Sequence, residues 1–212
     1  MKWLVAGAIA IAGLFSAWIL ASPAGAGIVN FDLSNCGQAG LPAGCNNSDS
    51  GRSVLDFLSG GLDLSVSGFV GANPNNFDLK LSTPDETGLG LFAATPANEV
   101  GQGDTEVFNF GKLALVGIDS GTLTLSSLQS GEVGLVTFDA TGTAAVEVDG
   151  TGISAPIPIT WSLADPIVTV TALGGDVLAA ADVEVSVPEP ATWLLMASAL
   201  MGSLVLWRRS RR

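Results

Sequence analysis

Histidine and tyrosine are absent from the 212 residues, cysteine occurs twice, and charged residues make up only 13% of the chain. Without histidine the chain lacks the commonest general base and the usual Ser–His and Cys–His nucleophile pairs. Zinc hydrolases lose their preferred ligand on the same count. Two cysteines are too few for a thiolate metal cluster or a multiply bridged scaffold. Positive charge is scarce as well: eight Lys and Arg stand against twenty Asp and Glu, a formal net charge of −12. Between the two ends only Arg52, Lys80 and Lys112 are basic. Such a surface repels nucleic acid, which is not expected as a partner, because its binding leans on Lys and Arg neutralising phosphates. The acidic body also disfavours simple adhesion to anionic lipid.

What the sequence does contain is most distinctive at its termini. It starts "MKWLVAGAIAIAGLFSAWILASPAGAG", with Lys2, an apolar run over 3–20, the helix-breaking Pro23, and then Ala24-Gly25-Ala26. A positive start, an apolar core and a small-x-small site are the layout of a secretory signal peptide. Cleavage is expected after Ala26, with Ala24 and Ala26 as the small residues that signal peptidase reads. At the far end, residues 191–207 are apolar apart from Thr192, Ser198 and Ser203, and Arg208, Arg209, Arg211 and Arg212 follow. As a helix, seventeen residues rise about 25 Å, slightly under the hydrocarbon thickness. Trp193 and Trp207 near its boundaries, with snorkelling arginines, extend that reach. The positive-inside rule keeps the arginines cytoplasmic, as a membrane stop, and puts the acidic body across the membrane.

Just before this stretch stands Val187-Pro188-Glu189-Pro190. Its prolines remove two N–H donors and hold the chain extended, so no strand or helix continues through them. Pro190 suits the first turn of a helix, and Glu189 complements the positive end of its dipole. A signal peptide, a terminal Val-Pro-Glu-Pro, one apolar helix and an arginine cluster together resemble the PEP-CTERM sorting-signal family of Gram-negative bacteria. Pro188, Glu189 and Pro190 correspond to the signature, 191–207 to the helix and the arginines to the basic tail, interrupted here by Ser210. The resemblance implies processing by exosortase, a membrane-embedded cysteine protease-like enzyme, near the motif, with a transient inner-membrane intermediate followed by release or transfer outward. It covers only the last 26 or so residues and implies nothing about the body. The residues fit two rival anchors poorly: a glycolipid-anchor signal ends without arginines, and no Leu-Pro-x-Thr-Gly is present. The expected organisation is a signal peptide at 1–26, an extracytoplasmic β domain at 27–186 and the sorting signal at 187–212.

Alternation dominates the body. "NFDLKL" sets Phe77, Leu79 and Leu81 against Asp78 and Lys80, and "GTLTLS" sets Leu123 and Leu125 against Thr122 and Thr124. "TAAVEV", "IPITWSL" (Ile157, Ile159, Trp161, Leu163) and "DVEVSV" (Val183, Val185, Val187) continue the pattern. Period two over four to eight residues marks half-buried strands. Turn chemistry separates the runs, as at Ser59-Gly60-Gly61, Asn73-Pro74-Asn75 and Asp149-Gly150. The expected fold class is all-β, an antiparallel β-sandwich or jelly-roll-like body, with an N-terminal signal helix and a C-terminal transmembrane helix. Trp161, in phase with Ile157 and Ile159, reads as core.

Cys36 and Cys45 bracket the flexible "GQAGLPAG". In an exported chain such a pair is expected to form a disulfide, stabilising by roughly 2 to 3 kcal/mol. Catalysis would need a carboxylate pair of the glycosidase kind. The pairs available (Asp85-Glu86, Asp104-Glu106, Glu147-Asp149, Asp182-Glu184) lie beside turns or on faces expected to be solvated. No enzymatic activity and no obligatory cofactor is therefore expected, and no catalytic residue is named. Calcium is the one metal the loops suggest, through "NNSDSG" at 46–51 or "GDTE" at 103–106, although neither matches an EF-hand loop and the metal ligands stay unassigned. The resulting reading is a noncatalytic surface or exopolysaccharide-matrix protein, sorted by exosortase to the cell surface or beyond. A calcium-dependent carbohydrate-binding module is the alternative, and a carboxylate glycosidase ranks third.

Overall fold

The computed structural model describes residues 27–42, 49–81, 87–92, 99–129, 132–138, 145–149, 152–174 and 179–187. The segments expected to form the signal peptide and the membrane helix lie outside these residues. Among the described residues no helix is long and apolar enough to cross a membrane.

Alternating apolar residues build strands throughout, and the elements follow in the order β1 (Gly27–Asp32), β2 (Val54–Ser59), β3 (Leu62–Val70), β4 (Asn73–Pro74), β5 (Phe77–Leu81), β6 (Thr87–Leu91) and β7 (Thr105–Asn109). A single helical turn, α1 (Gly111–Leu115), leads to β8 (Ser120–Ser126), β9 (Val133–Thr137), β10 (Ala145–Asp149), β11 (Ile157–Thr160), β12 (Ile167–Gly174) and β13 (Ala179–Val187). The strands form two sheets, and ten of the strand pairings are antiparallel by register. One has the order β11-β8-β13-β6-β5, with β1 also on β13; the other runs β10-β9-β12-β7-β3-β2, with β4 on β3. The all-β expectation therefore holds.

Local chemistry accounts for the hairpins. Between β2 and β3, Ser59 pairs with Leu62 across Gly60 and Gly61, whose φ angles of 57° and 79° are both positive. Two left-handed residues in a row give the tight turn whose twist matches the strands it joins, and glycine adopts them without steric cost.

One hydrophobic cluster holds the inward residues of both sheets. Leu55, Phe57, Leu64, Val66, Phe108, Val168 and Val170 enter it from the second sheet, and Phe77, Leu79, Leu89, Leu91, Leu123, Leu125, Val183 and Val185 from the first. The sheets pack tightly at Gly68 of β3, where an added Cβ would sit 2.3 Å from Leu91 Cδ2 and 3.1 Å from Phe77 Cε1. Only a residue without a side chain fits there. α1 crosses between the sheets and buries Leu113. Next to it Phe110 stacks on Trp161, with ring centroids 4.1 Å apart, and Trp161 Nε1 donates to the Ile118 carbonyl at 2.8 Å. At 6% exposure Trp161 is core, its one polar atom satisfied.

Two expectations need correction. Leu163 was expected to continue the alternation of β11, but the strand ends at Thr160 and Leu163 is 61% exposed. After the strand, Ser162 N–H bonds the Asp165 carbonyl and Asp165 N–H bonds Ser162 Oγ, a local turn that releases the side chain from strand phase. In β5 both faces are enclosed, because Asp78 and Lys80 are buried along with Phe77 and Leu79. The outer edge of β5 is not bare either. Ser50 N–H bonds the Phe77 carbonyl, and Phe77 N–H bonds the Arg52 carbonyl. Residues 49–52 thus shield an edge that would otherwise offer open hydrogen-bonding groups.

Candidate functional site

The chain leaves the body through β13, and its position there is interior. β13 pairs with β8 from Ala179↔Ser126 to Val185↔Gly121, with β6 at Ala180↔Leu89, and with β1. Beyond the end of β1, Leu33 N–H adds a bond of 3.1 Å to the Ala181 carbonyl. Val183 and Val185 point into the core, Glu184 and Ser186 outward, and Val187 packs partly buried against the cluster. Val187 is the last residue of the strand and Pro188 is next in sequence, so no linker separates the folded body from the prolines. Of the residues expected to act in sorting, Val187 is the one described. Pro188, Glu189, Pro190, Arg208, Arg209, Arg211 and Arg212 lie outside the described residues, as do Ala24 and Ala26 of the cleavage site.

Cys36 is buried and is not a free thiol. Its expected partner, Cys45, lies outside the described residues. The loop around Cys36 is set by short side chains. Asn35 Oδ1 accepts from the N–H groups of Gly37 and Gln38, and Asp32 Oδ1 accepts from the N–H and hydroxyl of Ser34.

In each of the suggested calcium loops one carboxylate has a backbone partner. In 46–51, Asp49 Oδ1 accepts the Gly51 N–H at 2.8 Å, closing a local turn, while residues 46–48 lie outside the described residues. In 103–106, Asp104 is buried and its Oδ1 accepts the Gly71 N–H at 3.1 Å. Glu106 overturns its expected solvent-facing placement. It is 0% exposed, and neither carboxyl oxygen has a hydrogen-bond partner among the described residues. The physical reason is phase: Glu106 alternates with Phe108 on β7, and both turn into the core. Burial alone holds its carboxyl well above the ordinary glutamate range.

Asp182, on β13, is also raised, first by burial and then by the charges of Glu184 and Asp32, against the opposing hydrogen bond from the Thr124 hydroxyl. On the surface, Lys112 is raised chiefly by its 2.5 Å hydrogen bond to Asp63 Oδ2, opposed by desolvation and helped by the charges of Asp63 and Asp56. Such exposed pairs contribute little to stability.

A second polar group lies enclosed beside β5. Lys80 Nζ donates to Glu99 Oε1, and Ser127 Oγ donates to the same oxygen. Lys80 is 7% exposed, Glu99 2% and Ser127 1%. Ser127 has φ 61°, the one non-glycine residue in the left-handed region among those described. Sequence reasoning missed this group because Lys80 had been given a solvent face and Glu99 and Ser127 belong to no motif. For Glu106 a signal was present in "TEVFNF", where Glu106, Phe108 and Phe110 share one phase.

An interior C-terminal strand running without a spacer into a Pro-Glu-Pro segment defines a two-sheet body joined directly to a terminal signal. Residues 186–212 match the family described as PEP-CTERM protein-sorting motif, so the last two residues of β13 already belong to the matched segment. This C-terminal signal implies a protein exported through the membrane and sorted by exosortase. Neither a curated protein nor a solved structure matches the chain.

Proposed function

We propose that this is a noncatalytic protein of the cell surface or the exopolysaccharide matrix, delivered there by exosortase after signal peptidase has removed its leader. The observation that carries the reading is the match at 186–212 beginning inside an interior strand. A cut at or beyond Pro188 leaves every pairing of β13 in place, which suits a body meant to persist after processing. A disulfide between Cys36 and Cys45 completes the mature domain and fits an oxidising destination.

Two features favour a noncatalytic body. Histidine is lacking, and Glu106 stands inside the core, out of reach of a glycoside substrate. The calcium-dependent carbohydrate module is the second reading, and the match at 186–212 bears on sorting alone.

The full chain should be expressed in a host with exosortase and in a matched strain lacking it, and the C-terminus of surface and medium fractions mapped by mass spectrometry. Loss of the residues beyond the Pro188–Pro190 region only where the enzyme is present is the expected result. An intact Arg212 in both strains overturns the reading in favour of a permanent inner-membrane anchor.

A further inference from the structure

We propose that Lys80 and Glu99 condense into an intramolecular amide, a covalent cross-link that ties edge strand β5 to the segment entering Val100. The amine and the carboxyl are in direct contact, and both residues are more than nine-tenths buried. Held this way, two groups that react only sluggishly in solution gain an effective concentration of order 10⁵ M or more. Enclosure also supplies a driving force. A buried ion pair retains much of the desolvation penalty of two charges, whereas a neutral amide carries a smaller one and its formation releases a water.

The balance of the step is simple. Within the pair, one proton passes from the ammonium to Glu99 Oε2, leaving a neutral amine facing a carboxylic acid. Lys80 Nζ attacks Glu99 Cδ, forming the C–N bond, and negative charge collects on Oε1. The Ser127 hydroxyl already donates to that oxygen and serves as the oxyanion donor. The Cδ–Oε2 bond then breaks, Oε2 leaves with its proton and one from nitrogen as water, and the carbonyl reforms at Oε1. No electron is gained or lost and no co-reactant is required. Exclusion of bulk water protects the product from hydrolysis.

The test is independent of the sorting reading. Full-length chain, reduced and denatured, is digested with trypsin. Between Arg52 and Lys112 the one cleavable residue is Lys80, so an ordinary chain yields separate peptides 53–80 and 81–112. A cross-linked chain yields one fragment, 53–112, one water lighter than its sequence mass, with fragmentation placing the loss between Lys80 and Glu99. Cleavage after Lys80, or an uncut fragment at full mass, overturns the proposal. Because the wild-type readout is decisive by itself, misfolding of a variant does not obscure it. Lys80→Arg and Glu99→Ala should each yield two peptides at full mass, and Ser127→Ala should slow linkage by about 100-fold or more.

Discussion

Glu106 stands directly opposite Gly68 in the ladder between β3 and β7, and opposite Val170 in the ladder between β7 and β12. A carboxyl thus occupies a slot in the centre of the sheet whose neighbours are a glycine and a valine.

The pH dependence of stability follows from that slot. Below the ordinary glutamate value of 4.5, Glu106 is protonated in folded and unfolded chains alike and costs nothing electrostatically. As pH rises past it, the unfolded chain releases the proton and the folded chain does not, so stability falls until the folded group ionises. Asp182, raised in the same direction, adds to the trend. Urea titrations should therefore show Glu106→Leu gaining most over wild type at neutral pH and less under acid conditions. Relief of an unpaired buried carboxyl is worth about 1–3 kcal/mol, which corresponds to a melting temperature higher by roughly 2–10 °C. A variant less stable than wild type at neutral pH contradicts the assignment.

Trp161 joins the two sheets through Phe110 and the Ile118 carbonyl. Trp161→Ala should cost about 3–5 kcal/mol in chemical denaturation. Trp161→Phe keeps a ring on Phe110 and should cost less than half of that.

At Gly68 the test is steric. Gly68→Ala places a methyl against Leu91 and near the Asn75 carbonyl, and an overpacked core loses about 1–3 kcal/mol. Differential scanning calorimetry of Gly68→Ala beside Gly68→Ala/Leu91→Ala separates the causes: partial rescue by the second change identifies the Leu91 contact.

Truncation addresses the exit strand. A chain ending at Val187 keeps all the pairings of β13 and should melt within about 2 °C of the whole protein. Ending it at Gly174 removes the partner of β8, β6 and β1, and cooperative unfolding should vanish.

The sequence revealed which residues share a face far better than whether that face meets water. Period two correctly paired Leu123 with Leu125 and Val183 with Val185, and Gly60-Gly61 announced its turn. The same rule left Asp78 and Lys80 on an outer face, because burial there depends on residues far apart in sequence: Lys80 meets Glu99 and Ser127, and Asp78 is bridged by Asp49. Glu106 was misread for a different reason. Its charge outweighed its phase in the reading, whereas in the fold the two phenylalanines that follow with it fix the direction of the strand face. The C-terminal signal was legible because its chemistry is local: prolines, an apolar run and arginines need no tertiary partner to be recognised.

Because β13 is partner to β8, β6 and β1, the first sheet is incomplete until the last strand of the body is available. β1 lies at the opposite end of the body from the strand it pairs with, the most distant pairing in the fold and the kind that slows folding. In a chain that emerges with its N-terminal side first, the keystone strand arrives last, its final two residues already within the matched sorting segment. The strand that completes the first sheet and the segment that carries the sorting signal are thus one continuous stretch of sequence, so a change at Ser186 or Val187 touches both.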